Sequence, residues 1–356
     1  MGPPPDGPVN AAAPTLVYVS NADSGDISVL RVDAHSGALT TVQTLAVGAV
    51  VMPLAVSPDC RFLYASLRSE PFTVMSLTID PRSGTLTAIG TAPLPASMAC
   101  IAIDRTGRFL FSASYGGDLI AVSPIGKDGV ARAARQVLPT PPKAHAIQAD
   151  PSNRFVFATS LGGGVVLQWR FDADTGVLTP NAPAQASARE AASPRHFVFG
   201  PGANTAAVAS SRCVYLLNEL DAAIDVFALD AAQGTLTAVQ TIASLPTGFS
   251  GEPWAADVHL TPDGRFLYTS ERRSSTLAAF RIAADTGRLS LIGHVATETQ
   301  PRSFAISPDG RWLFAVGQLS NRLSRYAIDA GTGELSWLGD YAVGRNPNWI
   351  EAITLP

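Results

Sequence analysis

The chain has 356 residues, 46% hydrophobic but only 15% charged, with 25 Lys and Arg against 29 Asp and Glu for a net charge of −4. That composition excludes general disorder, and the slight acidity gives no footing for wrapping nucleic acid. No apolar run long enough to span a membrane occurs, nor a basic start leading into an apolar stretch, so neither a membrane span nor an export signal is predicted and a cytoplasmic location is expected.

The N-terminal segment 1–14 is expected to be a flexible lead-in. Thirty Gly and twenty-seven Pro cut the whole chain into short segments, the pattern of an all-β protein rich in turns. The first of these, LVYVS just after Thr15, is expected to lie beside YAVGRNPNW and complete the last unit of a closed ring, leaving no free edge.

Two repeating signals follow in one phase. One is a turn and a strand: SPDCRFLYAS at 57–66, DRTGRFLFSAS at 104–114, DPSNRFVFATS at 150–160, TPDGRFLYTS at 261–270 and SPDGRWLFAVG at 307–317. Their arginines, Arg61, Arg108, Arg154, Arg265 and Arg311, step by 47, 46, 111 and 46. The long step holds two repeats, and GPGANTAAVAS at 200–210 reads as the copy that has lost its arginine. The second signal is an acidic turn closed by glycine, as in DPRSGTLT or DADTGVLT, with Gly37, Gly84, Gly129, Gly176, Gly234, Gly287 and Gly333.

Runs between the turns alternate apolar and polar with β-branched and aromatic residues, so each unit reads as four short strands. Four strands every ~46 residues, repeated seven times, predict an all-β, seven-bladed β-propeller of four antiparallel strands per blade, one domain over 15–356. A β-sandwich would not require one phase kept over so many copies.

Lettering the strands A to D from the axis outward, the first signal is the A–B turn and the second the C–D turn. Both lie on one end of the propeller, and departures from the repeat at the other end mark the candidate site. Five residues before each A–B turn stand Met52, Ala99, His145, Arg195, Ala256 and Arg302; seven after each turn arginine stand Arg68, Tyr115, Leu161, Arg272 and Gln318. In the irregular blade the stretch LLNELDAAIDVF offers Asn218 and Glu219. The ring of Arg68, Tyr115, His145, Arg195, Glu219, Arg272, Arg302 and Gln318 describes an anion-binding mouth with one acid and one imidazole.

Arginine forks suit planar carboxylates, phosphates and developing oxyanions. Either Glu219 or His145 serves as general base for water. Glu219 could be a solvated loop acid, but in the otherwise apolar segment YLLNEL it needs a partner, whereas Arg68 and Arg272 alone could be surface residues paired with Glu70 and Glu271. His196 and His259 fall out of phase with His145 and are expected to support the site; His35 belongs to a C–D turn and His294 to an outer strand. Cys60, Cys100 and Cys213, in no paired spacing, are expected to be buried thiols. No metal-ligand, phosphate-loop or nucleophile-elbow motif occurs, so no metal and no cofactor is expected.

With these residues in place the sequence resembles the bacterial propeller-type 6-phosphogluconolactonase family, which includes carboxymuconate-cyclising relatives. The likeness is densest at SPRHFVFGPG (193–202), LLNELDAAIDVF (216–227), PWAADVHLTPDGRFLY (253–268), TETQPRSFAISPDG (297–310), VGQLSNRLSRYAI (316–328) and YAVGRNPNWI (341–350). The resemblance implies a cytoplasmic, cofactor-free hydrolase of 6-phospho-D-glucono-1,5-lactone in the pentose phosphate route. It also implies His145, Arg195, Glu219 and Arg272 as catalytic; from their repeat positions, Arg68, Tyr115, Asn218, Arg302 and Gln318 are expected to bind substrate. Where the family carries Asp before the fifth site's arginine, this chain has Glu271, and Arg273 adds a second charge. The alternatives are a muconate-lactonising enzyme, another aldonolactonase, or a non-catalytic propeller docking a protein. The expected partner is a small anionic lactone, with no nucleic acid or membrane, for a monomer or small homo-oligomer.

Overall fold

A computed structural model describes residues 13–48, 50–189, 192–200 and 212–356. Most of the expected lead-in 1–14 lies outside the described residues, although Pro14 is tied down by a bond from the backbone N–H of Leu355 to its carbonyl, 3.0 Å.

Twenty-eight strands, with no α-helix among the described residues, form seven four-stranded antiparallel sheets. One blade runs outward as Val51–Val56, Phe62–Leu67, Thr73–Ile79 and Leu86–Pro93. The other innermost strands are Cys100–Ile103, Ala144–Ala149, Pro194–Phe199, Ala255–Leu260, Pro301–Ile306 and Pro347–Thr354. Each packs against the innermost strand on either side, so the ring is closed: the predicted seven-bladed β-propeller. Second strands such as Phe109–Ser114 and Phe155–Ser160 are buried throughout, because both faces of each blade are covered by a neighbour.

The two repeating signals share a phase because they touch. The tyrosine of one blade's second strand donates to the C–D turn glycine carbonyl of the next: Tyr64 to Gly129 at 2.9 Å, Tyr18 to Gly84 at 2.9 Å, Tyr215 to Gly287 at 2.9 Å and Tyr268 to Gly333 at 2.8 Å. Gly129 adopts φ 77° and a Cβ there would fall 2.1 Å from the Phe62 ring, so both backbone and contact require glycine. The turn arginines make the same clasp: Arg108, Arg154 and Arg311 donate to the carbonyls of Ala173, Ala231 and Ala34 in the adjoining C–D turns. Sequence phase thus records an interface between blades.

Three expectations need correction. Ring closure is by one terminal blade, but Thr15–Asn21 pairs with Pro347–Thr354, so only the end of YAVGRNPNW takes part and Tyr341–Ala342 ends the preceding blade. The N-terminal part supplies three strands of that blade and the C-terminal part the innermost one. In the irregular blade the second strand is Cys213–Asn218, beyond the 200–210 copy read from the sequence, of which 201–210 lies outside the described residues. Finally, Cys100 and Cys213 are buried, whereas Cys60 is only half-buried: it occupies, at φ 56°, a turn position where sister blades carry Gly107, Gly264 and Gly310.

Candidate active site

Six innermost strands slip register by one residue near their beginnings: between Val51 and Leu54, Ala144 and Ile147, Pro194 and His196, Ala255 and Val258, Pro301 and Ser303, and between Pro347 and Trp349. Such a bulge leaves one residue out of the ladder and re-aims its side chain. The slips fall at Met52, His145, Arg195, Ala256, Arg302 and Asn348. Five of the six positions chosen by counting back from the A–B turns are therefore bulge positions, Ala99 lying before a strand without a slip, and this local irregularity turns His145 and the two arginines toward a common centre.

Arg195 is fully buried and donates through Nε to Glu219 Oε2 at 2.7 Å; its Nη1 and Nη2 are buried without partners. Arg272 reaches the same Oε2 through Nη2 at 2.8 Å and also donates to the carbonyls of Trp254 and Ala255, both at 3.0 Å. The Trp254 ring covers this guanidinium at 3.7 Å, with Arg273 at 4.9 Å. Burial alone would raise the Glu219 carboxyl, but the two arginines outweigh it and hold it below its ordinary value. The charge partner that the YLLNEL segment demanded is thus a pair of arginines.

His145 is buried, with its Nδ1 unpartnered. Its ring meets Tyr115 edge-on at 6.1 Å and His196 at 5.0 Å. Burial first, then Arg195, His196, Arg302 and Arg272, push it well below the usual imidazole value, so at neutral pH it is uncharged. Arg68 donates from Nε to Ser97 at 2.6 Å and from Nη1 to the Met52 sulfur at 2.9 Å. Arg302 has no hydrogen-bond or ion-pair partner among the described residues; burial and the neighbouring Arg195 and Arg68 press its guanidinium downward.

Arg195, Glu219 and Arg272 form one bonded group and Tyr115 and His145 one packed pair; the charges of Arg195, Arg272 and Arg302 act on His145, and those of Arg195 and Arg68 on Arg302, which places all seven side chains in one neighbourhood. Gln318 stands at the rim, bonded to Asn346 and Gln300 at 3.0 Å each. Asn218 differs from expectation: its amide donates to Asp225 and Ala223 within its own blade, leaving only a buried Oδ1. Arg272 is not paired with Glu271, which instead accepts from the backbone N–H groups of Trp254 and Ser274.

Two participants escaped the sequence reading. Trp254, which stacks on Arg272, had no counterpart in phase. Asp257 is a buried acid on an innermost strand and binds His196 Nδ1 at 2.7 Å, Ser303 Oγ at 2.8 Å and His259 Nε2 at 3.2 Å. Its signal was present as an acid in the apolar stretch WAADVHL. His196 and His259, expected to stand beside the site, both meet this carboxylate.

The sequence matches the family profile described as lactonase, 7-bladed β-propeller, over residues 16–352. It is similar to 6-phosphogluconolactonase of Pectobacterium carotovorum subsp. carotovorum, 42% identical over 340 residues covering 96% of this chain and 99% of that protein. The 6-phosphogluconolactonase of Serratia proteamaculans is 38% identical over 291 residues, 82% and 84% of the two chains. Among solved structures, the periplasmic gluconolactonase of Pseudomonas aeruginosa superposes with a TM-score of 0.86 at 27% identity, covering 97% of this chain and all of that one, 100%.

Proposed function

The chain belongs to the lactonase family of seven-bladed β-propellers, and from that premise we propose that it opens 6-phospho-D-glucono-1,5-lactone to 6-phosphogluconate. It is a hydrolase of cyclic carboxylic esters. The observation that carries the phosphorylated substrate is the charge balance of the mouth: Arg195 and Arg272 hold the carboxylate Glu219, and Arg302, with Arg68 beside it, adds cationic charge that no paired acid neutralises, an excess suited to a multiply charged anion.

In this reading His145 is the general base. Glu219 already accepts from two guanidiniums at one oxygen and is a poor proton acceptor, whereas His145 is neutral with a free ring nitrogen. Water loses a proton to His145 as its oxygen bonds to the lactone carbonyl carbon. The oxyanion is held by the unpartnered Nη1 and Nη2 of Arg195, with the charge of Arg272 beside it. Collapse breaks the ring C–O bond, and the imidazolium protonates the departing oxygen. Glu219 fixes the two arginines; Arg302 and Arg68 hold the phosphate; Tyr115 walls His145.

A phosphorylated substrate implies a cytoplasmic enzyme of the pentose phosphate route, unlike the relative named as periplasmic. No helix among the described residues is long and apolar enough to cross a membrane. The test is a comparison of initial rates on 6-phosphogluconolactone, unphosphorylated gluconolactone and a carboxymuconate, with and without EDTA. Faster opening of the phosphorylated lactone, unaffected by chelation, is expected. Ring closure of the muconate without lactone hydrolysis would overturn the reading.

A further inference from the structure

Arg273 follows Arg272 in the chain but stands outside the bonded group that Arg272 forms with Glu219 and Arg195. It is exposed, with no hydrogen-bond or ion-pair partner among the described residues. What it touches is the Trp254 ring, 4.9 Å away, the same ring that covers Arg272 at 3.7 Å. The Trp254 backbone is clamped: its N–H donates to Glu271, and its carbonyl accepts from the Arg272 backbone N–H at 3.1 Å and from Nε at 3.0 Å. A guanidinium is attracted to the indole face, so a fixed Trp254 keeps the Arg273 head beside the mouth.

Lys143 repeats the arrangement in another blade. It is exposed, its ammonium lies 5.5 Å from the centre of the Tyr115 ring, and Tyr115 in turn meets His145 edge-on at 6.1 Å. Its backbone, at φ 63°, is fixed by donation from its N–H to Asp118 Oδ1 at 2.7 Å, while Nζ has no ion-pair partner among the described residues. Each of the two half-buried aromatic residues thus touches one side chain of the reacting group and one exposed cation.

The acids nearby leave both cations unneutralised. Glu271 accepts from the backbone N–H groups of Trp254 and Ser274, Asp221 pairs with Arg189 at 2.8 Å, and the exposed Glu252 forms no ion pair with Arg273. The whole chain carries −4, and a phosphate monoester carries about −2 at neutral pH, so at long range protein and phosphorylated lactone repel. Attraction has to be local, and unpaired cations at an entrance raise the concentration of an anion there.

We propose that Arg273 and Lys143 form an outer collar that captures the phosphorylated lactone at the rim and passes it to the inner arginines. The collar then sets part of the preference for a phosphorylated ring, through association and not through the chemical step. This deepens the lactonase reading and rests on it. Salt separates the outer set from the inner one. A phosphate bonded at Arg302, where burial is the main influence, is little screened, whereas exposed cations lose their reach as the Debye length shrinks from ~30 Å at ~0.01 M to ~3 Å at ~1 M.

The experiment measures kcat and KM for 6-phosphogluconolactone and for unphosphorylated gluconolactone at those two ionic strengths, for the parent protein, Arg273→Gln, Lys143→Gln and the charge-preserving Arg273→Lys. At low salt each glutamine variant should raise KM for the phosphorylated lactone roughly 3–10-fold, the effect of one unit charge on a dianion several ångströms away in water. Its kcat should stay parental, and its KM for gluconolactone should not move. At high salt the difference from the parent should vanish, and Arg273→Lys should follow the parent throughout. Parental KM in both glutamine variants at low salt, an equal rise for the two lactones, or a rise that persists at high salt would overturn the collar. A parent protein that opens neither lactone would remove the lactonase reading and the collar with it.

Discussion

Arg195 and Glu219 meet through a single bond, Nε to Oε2 at 2.7 Å, which leaves both terminal nitrogens of the guanidinium buried and unpaired. Two parallel donors held in a plane, with no ligand of their own in the protein, match the oxygen that becomes negative when an ester is attacked. Arg195→Lys keeps the charge but replaces the fork by a point. It should lower kcat at least ~100-fold, the order expected for losing an oxyanion donor, with an unchanged circular dichroism spectrum. A rate within a few-fold of the parent would remove Arg195 from the chemistry.

Glu219→Gln leaves the buried guanidiniums of Arg195 and Arg272 uncompensated. Breaking a buried pair by removing one partner costs about 3–5 kcal/mol, so urea unfolding should show a loss of that order. Activity should fall as well, because the two arginines lose their common anchor. A variant as stable as the parent would mean that Glu219 is better solvated than its burial indicates.

Burial, followed by the charge of Arg195, holds His196 down from the ordinary 6.5 to about 4. As pH falls below 6.5 the unfolded chain binds a proton there while the folded protein does not, so the folded state loses stability between pH 6.5 and 4. The loss attributable to His196 is at most about 3 kcal/mol. Urea midpoints across that window should fall more steeply for the parent than for His196→Gln; the residual slope belongs to His145, which is lowered for similar reasons. Equal slopes would contradict the assignment.

Arg302 stands among like charges without an acid of its own. Arg302→Gln should raise KM for the phosphorylated lactone by roughly 10-fold or more while leaving KM for the unphosphorylated one nearly unchanged, since a charge-assisted bond contributes about 1.5–3 kcal/mol. Equal changes for the two substrates would move the phosphate elsewhere in the mouth.

The clasp between blades is testable away from the site. Tyr64→Phe removes one bond to the Gly129 carbonyl and should cost about 1 kcal/mol. Gly129→Ala should cost more, because the new Cβ lies 2.1 Å from the Phe62 ring and the backbone keeps φ 77°. The reverse order in thermal unfolding would show that the turn relaxes without resistance.

The blade count was legible because four of the copies, at Tyr18, Tyr64, Tyr215 and Tyr268, donate to the turn glycine of the next, which keeps the two signals in step. The mouth was legible for a related reason: one bulge recurs at the same distance from five of the six A–B turns, and His145, Arg195 and Arg302 stand on it. Legibility failed where residues act across phases. Asp257 works by reaching two imidazoles on different strands, Trp254 by lying over a guanidinium, and Asn218 by bonding back into its own blade; none of these partners follows from repeat position. The extra length at 200–215 was visible in the sequence as a stretch longer than the family pattern, but the spacing did not say where the second strand would begin, which the structure places at Cys213–Asn218.

Tyrosine hydroxyls reach the next sheet's turn glycine at Tyr18, Tyr64, Tyr215 and Tyr268, while Phe111, Phe157 and Phe314 stand in the corresponding place, so the sheets share a plan without sharing every bond. Variation is therefore tolerated at the seams, whereas around the axis each sheet brings a side chain of its own, and no neighbour could take over what Arg195 or Glu219 provides.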